Sequence, residues 1–173
     1  FAYVAEHSEL PLIVYNVPGR TGVSCTPEHY ARLAEIPRIN GVKEASGDFS
    51  LVSRTRHLCG DALNIWSGND DQTLPMLALG AKGVISVASN IVPQVMATLC
   101  AAALSGDFFT ARAIHEAYAG LFDALFYEVN PIPVKTAMQM LGWDSGRLRL
   151  PLCPMAEGNA AKLQNCLESL QLL

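Results

Sequence analysis

Short runs of apolar residues recur four times in the first part of the chain, at residues 12–18, 39–46, 63–70 and 83–89. Each run is rich in Val, Ile or aromatic residues and ends in small or polar residues, as β-strands do. A helical spacing of apolar positions follows each run. Because the runs are continuously apolar, we expect strands buried on both faces, as in a parallel sheet covered by helices. The pattern predicts four strand–helix units, in a (β/α)₈ barrel or an open doubly wound sheet.

The remainder of the chain is dominated by helical patterns. The sequence predicts a long helix capped near Ser105 or Asp107, and a second helix closed by Gly142. An extended segment broken by prolines follows, and a last amphipathic helix ends the chain. We therefore expect an α/β part over residues 1–104 and a helical region over residues 105–173.

Composition and charge exclude several classes of function. Half of the residues are hydrophobic, 16% are charged and the formal net charge is −4. The basic residues form no stripe, so we expect no nucleic-acid partner. Five widely spaced cysteines without a C-x-x-C pair indicate reduced thiols and a cytoplasmic location. The four histidines are scattered without the spacing of a zinc site, so we expect no metal.

The segment 83–105 carries no charged residue and is long enough to cross a bilayer. It opens with β-branched residues, breaks at Asn90 and Pro93 and resumes as a helical pattern. A strand, a turn and a helix account for this order better than one continuous span. We therefore expect no membrane segment.

A lysine stands in the middle of the second apolar run, INGVKEAS. Lys43 could lie on an edge strand with its amine reaching solvent. It could instead be desolvated, and burial lowers the pKa of a lysine by up to about 3–5 units. A desolvated amine is neutral in a larger fraction of molecules and can form a Schiff base with a carbonyl. Both interpretations stay open on these residues alone.

Tyr15 and Arg20 are further candidates, one strand earlier. Tyr15 is either a core tyrosine with a satisfied hydroxyl or a phenol that relays protons for a Schiff-base lysine. In a barrel both Tyr15 and Lys43 would lie at the carboxyl ends of neighbouring strands, which form the catalytic face. Arg20 follows a predicted tight turn at Pro18-Gly19. It is either a solvated loop residue or a residue whose guanidinium binds a substrate carboxylate through two hydrogen bonds.

The third run closes with SGNDD, residues 67–71. Asn69 and Asp70 could cap the helix that follows. Glu44 and Asp70 could instead hold a divalent cation at the barrel mouth, as in a metal-dependent aldolase. Two carboxylates without a third ligand make that alternative weak.

Six blocks in order, YNVPGRTG, GVKEASG, SGND, GAKGVISVASN, NPIPVKTAMQMLG and LRLPL, together resemble the dihydrodipicolinate synthase family. This family belongs to the pyruvate-dependent class I aldolases, which include N-acetylneuraminate lyase. The resemblance implies the C-terminal half of a (β/α)₈ TIM barrel over residues 1–104, followed by a helical region. It also implies a homo-oligomer, a dimer or a tetramer, that needs no cofactor.

The resemblance implies a role for each candidate residue. Lys43 condenses with pyruvate, and the enamine attacks L-aspartate 4-semialdehyde to give 4-hydroxy-tetrahydrodipicolinate, on the route to diaminopimelate and lysine. Tyr15 matches the proton-relay tyrosine, and Arg20 matches the arginine that holds the semialdehyde carboxylate. Gly68 and Ile85 match backbone positions that line the pyruvate pocket.

Two alternatives remain beside this interpretation. Arg20 favours the synthase over neuraminate lyases, but other keto-acid aldolases share much of the pattern. A complete barrel needs eight strand–helix units, and we expect four here, beginning in the helix before the fifth strand. Residues that anchor pyruvate would then lie outside the chain. The 173 residues alone are therefore expected not to be a competent monomeric enzyme, and could be an inactive fragment that acts only in assembly.

Overall fold

The structure, a computed structural model, describes residues 1–173 and contains three β-strands and nine α-helices. The strands are β1 (Leu12–Asn16), β2 (Ile39–Glu44) and β3 (Asn64–Ser67). The helices are α1 (Ala2–Glu6), α2 (Pro18–Thr21), α3 (Pro27–Ala34), α4 (Phe49–Cys59), α5 (Thr73–Ala78), α6 (Pro93–Leu104), α7 (Phe108–Ala124), α8 (Ile132–Met140) and α9 (Glu157–Ser169).

The three strands form one parallel sheet in the order β1-β2-β3. Helices α3 and α4 connect successive strands and pack against each other on one face of the sheet. The core between the sheet and these helices includes Val14, Val42 and Ile65 from the strands, with Tyr30 and Leu51 from the helices. The predicted α/β arrangement of parallel strands joined by helices is confirmed.

Burial on both faces is not observed for β1 within residues 1–173. Its burial alternates along the strand, and Ile13 and Tyr15 are 47% and 46% exposed. The helices cover the face that carries Val14, whereas successive side chains of a strand point to opposite faces. The second face of β1 is therefore open to solvent.

The predicted fourth strand over residues 83–89 is much shorter than expected. It pairs with β3 through a single parallel bridge between Ser67 and Val84. The bridge consists of two backbone bonds, from Ser67 N–H to Gly83 and from Ile85 N–H to Ser67, and one further bond runs from Lys82 N–H to Ile65. A 3₁₀ turn over Ala88–Asn90 follows at once and ends the extended conformation.

Side chains cap the starts of α3 and α7, and the cap predicted near Asp107 is confirmed. The Thr26 hydroxyl accepts the backbone N–H of His29, and the His29 side chain accepts the N–H of Thr26 in return. The Asp107 carboxylate accepts the N–H of Thr110 at the start of α7. Each cap satisfies donors that the first helical turn leaves unpaired.

The chain forms two compact units. Residues 1–85 and 103–106 make the first, which holds the sheet, and residues 86–102 and 107–173 make the second. Within the second unit, α9 packs against α7 and α8. The proposed division at residue 104 stays a prediction. No helix has both the length and the apolar character that crossing a bilayer requires.

Candidate active site

Tyr15 and Lys43 lie opposite each other on β1 and β2, on the open face of the sheet. They are partners in the parallel register, and Lys43 is likewise the partner of Trp66 on β3. The Lys43 amine lies 4.4 Å from the centroid of the Tyr15 ring. An ammonium at this distance from an aromatic face is within cation–π range. The structure therefore brings together the two residues predicted to be catalytic.

The surroundings of Lys43 lower its pKa. Partial burial is the largest cause, because it disfavours the charged form. The charge of Asp70 opposes this effect and raises the pKa, and the positive charge of Arg20 lowers it again. The neutral amine is therefore more populated at Lys43 than at a lysine in water. The neutral amine is the form that attacks a carbonyl.

Arg20 lies on α2, which follows β1 directly. The predicted tight turn at Pro18-Gly19 is a single helical turn, closed by Gly22 in the left-handed conformation with φ of 70°. Arg20 is exposed, and its charge acts on Lys43 from beyond the strand ends. A guanidinium at this position can bind a carboxylate. The assignment of Arg20 as a substrate-binding residue stays a prediction.

Gly68 lies just beyond the carboxyl end of β3, and Ile85 lies beside that end. The Gly68 N–H donates to the carbonyl of Glu44 at 2.7 Å. A Cβ at position 68 would lie 2.6 Å from the Cβ of Ala45, so only glycine fits this approach of β3 to β2. The Ile85 N–H donates to Ser67 O at 2.9 Å. Their role in lining a pyruvate pocket stays a prediction.

The alternative cation site at Glu44 and Asp70 is not formed. Glu44 follows Lys43 in the strand, so its side chain points to the helix-covered face and is 4% exposed. Its carboxylate is engaged by Asn16, whose Nδ2 donates to both oxygens at 3.0 Å. Asn69 provides no side-chain cap, and its amide donates to Gln72 at 3.2 Å instead.

Trp66 is a neighbour of Lys43 that sequence reasoning missed. Its ring lies against β2 at Gly41, where a Cβ would come within 2.6 Å of ring atom Cζ3. On the other side, a Cβ at Gly83 would lie 3.6 Å from Cδ1 of the same ring. A glycine inside a strand often marks such a close approach, so Gly41 was the available signal.

A groove of about 590 Å³ lies elsewhere in the same unit. It is lined by α1 and α3 and by the loop before α3, including Cys25, His29 and Arg32. Neither Lys43 nor Tyr15 is among its lining residues. The candidate active site is thus an open sheet face, and the groove has no part in it.

A family model described as the dihydrodipicolinate synthetase family matches residues 1–170. The chain belongs to this family. It is similar to the 4-hydroxy-tetrahydrodipicolinate synthase of Geobacter sulfurreducens, with 48% identity over 173 residues, which are all of this chain and 60% of that protein.

Solved structures of dihydrodipicolinate synthases have the same fold. One shares 48% identity with a TM-score of 0.96, over all of this chain and 60% of its own. The enzyme from Acinetobacter baumannii, crystallised with pyruvate, shares 41% identity with a TM-score of 0.96, over 99% of this chain and 59% of its own. The chain therefore spans about 60% of the length of these family members.

Proposed function

We propose that the protein containing this chain is a 4-hydroxy-tetrahydrodipicolinate synthase of the diaminopimelate and lysine pathway. It condenses pyruvate with L-aspartate 4-semialdehyde through an imine at Lys43 and uses no cofactor. In this proposal residues 1–104 belong to the C-terminal half of a TIM barrel. The protein acts in the cytoplasm as a homo-oligomer.

The contact between Lys43 and Tyr15 carries the proposal. A partly buried amine with a lowered pKa, 4.4 Å from the centre of a phenol ring, combines a nucleophile with a proton donor and acceptor. Membership of a family whose members include an enzyme crystallised with pyruvate supports pyruvate as the carbonyl substrate.

Imine formation uses both residues. The neutral amine of Lys43 attacks the keto carbon of pyruvate and forms a carbinolamine. The Tyr15 hydroxyl relays protons between the amine and the departing hydroxyl group, which leaves as water. The resulting iminium withdraws electrons from the adjacent methyl group, which loses a proton and leaves an enamine.

The carbon–carbon bond forms in the second half-reaction. The enamine carbon attacks the aldehyde carbon of the semialdehyde, and the aldehyde oxygen takes a proton. Arg20 binds the carboxylate of this substrate and holds the aldehyde over the enamine. The amino group of the product then attacks the imine carbon, closes the ring and releases Lys43, so that one water is lost overall.

A second candidate within the same class is an aldolase that accepts another aldehyde. Neuraminate lyases and other keto-acid aldolases form the same imine with pyruvate. The position of Arg20, one helical turn beyond β1, favours an acceptor that carries a carboxylate near its aldehyde. Product analysis with the semialdehyde and with N-acetylmannosamine separates the two.

Reductive trapping tests the proposal. The protein containing residues 1–173 is incubated with pyruvate and borohydride, and its peptides are mapped by mass. We expect one reduced pyruvate adduct, on the peptide that contains Lys43. Lys43→Arg abolishes trapping because a guanidinium stays protonated and is not nucleophilic. The matched control is Lys82→Arg, at an exposed lysine of the same unit.

An adduct confined to Lys82, Lys135 or Lys162 would overturn the assignment of Lys43. Absence of any adduct in the parent protein would overturn the class of reaction. Trapping at Lys43 without turnover of the semialdehyde would leave the imine chemistry standing and refute this acceptor.

A further inference from the structure

A buried polar cluster lies directly behind the two proposed catalytic residues. Asn16 follows Tyr15 on β1 and Glu44 follows Lys43 on β2, and the two are partners in the register. Both point to the helix-covered face, where they are 3% and 4% exposed. The proposed mechanism uses neither side chain.

The Glu44 carboxylate is the centre of this cluster. Asn16 Nδ2 donates to both of its oxygens at 3.0 Å. The backbone N–H of Ser46 donates to Oε1 at 2.7 Å, and the Tyr30 hydroxyl donates to Oε2. Burial, followed by the hydrogen bond to Glu44, raises the pKa of Tyr30 well above its usual range, so the hydroxyl remains a donor.

The cluster joins four parts of the chain at one point. Asn16 is the last residue of β1 and Glu44 the last of β2, whereas Tyr30 lies on α3 and Ser46 in the loop before α4. The side-chain oxygen of Asn16 also accepts the N–H of Cys25 at 3.2 Å. The contacts thus fix the carboxyl ends of both strands against the helix layer.

We infer that Glu44 is a positioning residue for the proposed reaction. With Asn16 and Tyr30 it clamps the ends of β1 and β2, and so holds Lys43 over Tyr15. The inference rests on the proposed function. The inference also explains why a carboxylate is buried here. Well-packed apolar residues of similar volume often stabilise a fold at least as well as buried charged groups do.

The physical basis is the geometry of strand ends. The parallel ladder fixes residues within a strand, but both strands end one residue after the site, so fewer backbone bonds hold this edge. Between β1 and β2 the last is from Ala45 N–H to Asn16 O at 2.9 Å, and the end of β2 is joined to the β3 side by Gly68 N–H to Glu44 O at 2.7 Å. A fully bonded carboxylate in a buried place restricts the motion that remains. Loss of this restraint matters because a displacement of about 1 Å can cost about 10²-fold in rate.

The test compares Glu44→Gln and Tyr30→Phe with Tyr3→Phe, which removes a hydroxyl from an exposed tyrosine of the same unit. Turnover and KM for both substrates are measured in the complete protein, well below the unfolding temperature of each variant. We expect kcat to fall by about 10–100-fold for Glu44→Gln and about 3–10-fold for Tyr30→Phe, in the range that misplacement of reacting groups produces. Both KM values should stay within about twofold, since neither residue is proposed to touch substrate.

Unchanged kcat in folded Tyr30→Phe and Glu44→Gln, with only a lower unfolding temperature, would show that the cluster serves the fold alone and would overturn the inference. Tyr30→Phe keeps the test decisive if the Gln variant does not fold, because it leaves the Glu44 carboxylate and the Asn16 bonds in place. Failure of the proposed function is distinguishable, since the parent protein would then form no pyruvate adduct.

Discussion

Trp66 is paired with Lys43 across β2 and β3, and its indole ring lies between Gly41 on β2 and Gly83 on the other side of β3. Neighbouring side chains on one face of a sheet are in contact range. We therefore expect the indole to contribute to the partial burial that lowers the pKa of Lys43.

Trp66→Leu should shift imine formation to higher pH. A smaller side chain admits water to Lys43, burial lowers its pKa less, and a higher pH is then needed for the same fraction of neutral amine. The rate of borohydride trapping with pyruvate is measured as a function of pH. Trp143→Leu, at an exposed tryptophan of the other unit, is the matched control. Superimposable profiles for parent and Trp66→Leu would refute the role of the indole.

Tyr15→Phe should reduce kcat by about 10²–10⁴-fold, the usual contribution of a positioned general acid or base. Removal of one hydroxyl keeps the packing volume of the side chain and should leave the unfolding temperature unchanged. The phenyl ring still lies beneath the Lys43 amine, which separates proton relay from the aromatic contact. Tyr127→Phe, at a tyrosine of similar exposure, provides the comparison. Turnover within about twofold of the parent would show that the phenol relays no proton.

Arg20→Ala should impair use of the semialdehyde far more than use of pyruvate. A hydrogen bond to a charged group contributes about 1.5–3 kcal/mol, which corresponds to a loss of about one to two decades in kcat/KM for that substrate. Arg54→Ala removes an exposed arginine from α4 and serves as the control. Steady-state kinetics with each substrate varied in turn give the two values. Equal losses for both substrates would mean that Arg20 is not the carboxylate site.

Gly68→Ala should destabilise the sheet. The added methyl group would lie 2.6 Å from the Cβ of Ala45 and 3.0 Å from the carbonyl oxygen of Glu44, so the end of β3 must move away from β2. Such overpacking typically costs about 1–3 kcal/mol. Gly19→Ala is the matched control, since its methyl group meets nothing within 4 Å. Denaturant unfolding of the two variants measures the difference, and equal stabilities would contradict the close approach.

The sequence predicted the helices better than the strands, for a physical reason. Helix caps such as Thr26 and Asp107 act on donors within three residues, so the local sequence contains the whole interaction. Which face of a strand is covered depends on partners far along the chain. The apolar character of Ile13 alone therefore does not indicate its 47% exposure, whereas the expectation of four strand–helix units out of eight does.

The site shows the same limit. Lys43 and Tyr15 were predicted from their places in apolar strands, and a parallel sheet places both at the same edge, but their direct pairing in the register was not predicted. Successive residues of a strand point to opposite faces, so the sequence could have shown that Glu44 faces away from the side of the sheet that carries Lys43. This would have argued against a cation site made by Glu44 and Asp70. The bonds from Glu44 to Asn16 and Tyr30, across 28 and 14 residues, leave no periodic trace in the sequence.

The parallel sheet has two edges, one formed by the carboxyl ends of its strands and one by their amino ends. Tyr15, Lys43 and Gly68 all lie at or just beyond the carboxyl ends of their strands, whereas the turns at 35–38 and 60–62 enter the strands from the opposite edge. Residues 60–62 are exposed, and exposed turns tolerate insertions. An affinity tag or a fluorophore attached there would lie the length of a strand away from the proposed catalytic residues. This edge is therefore the place to immobilise or label the protein while leaving the proposed site free.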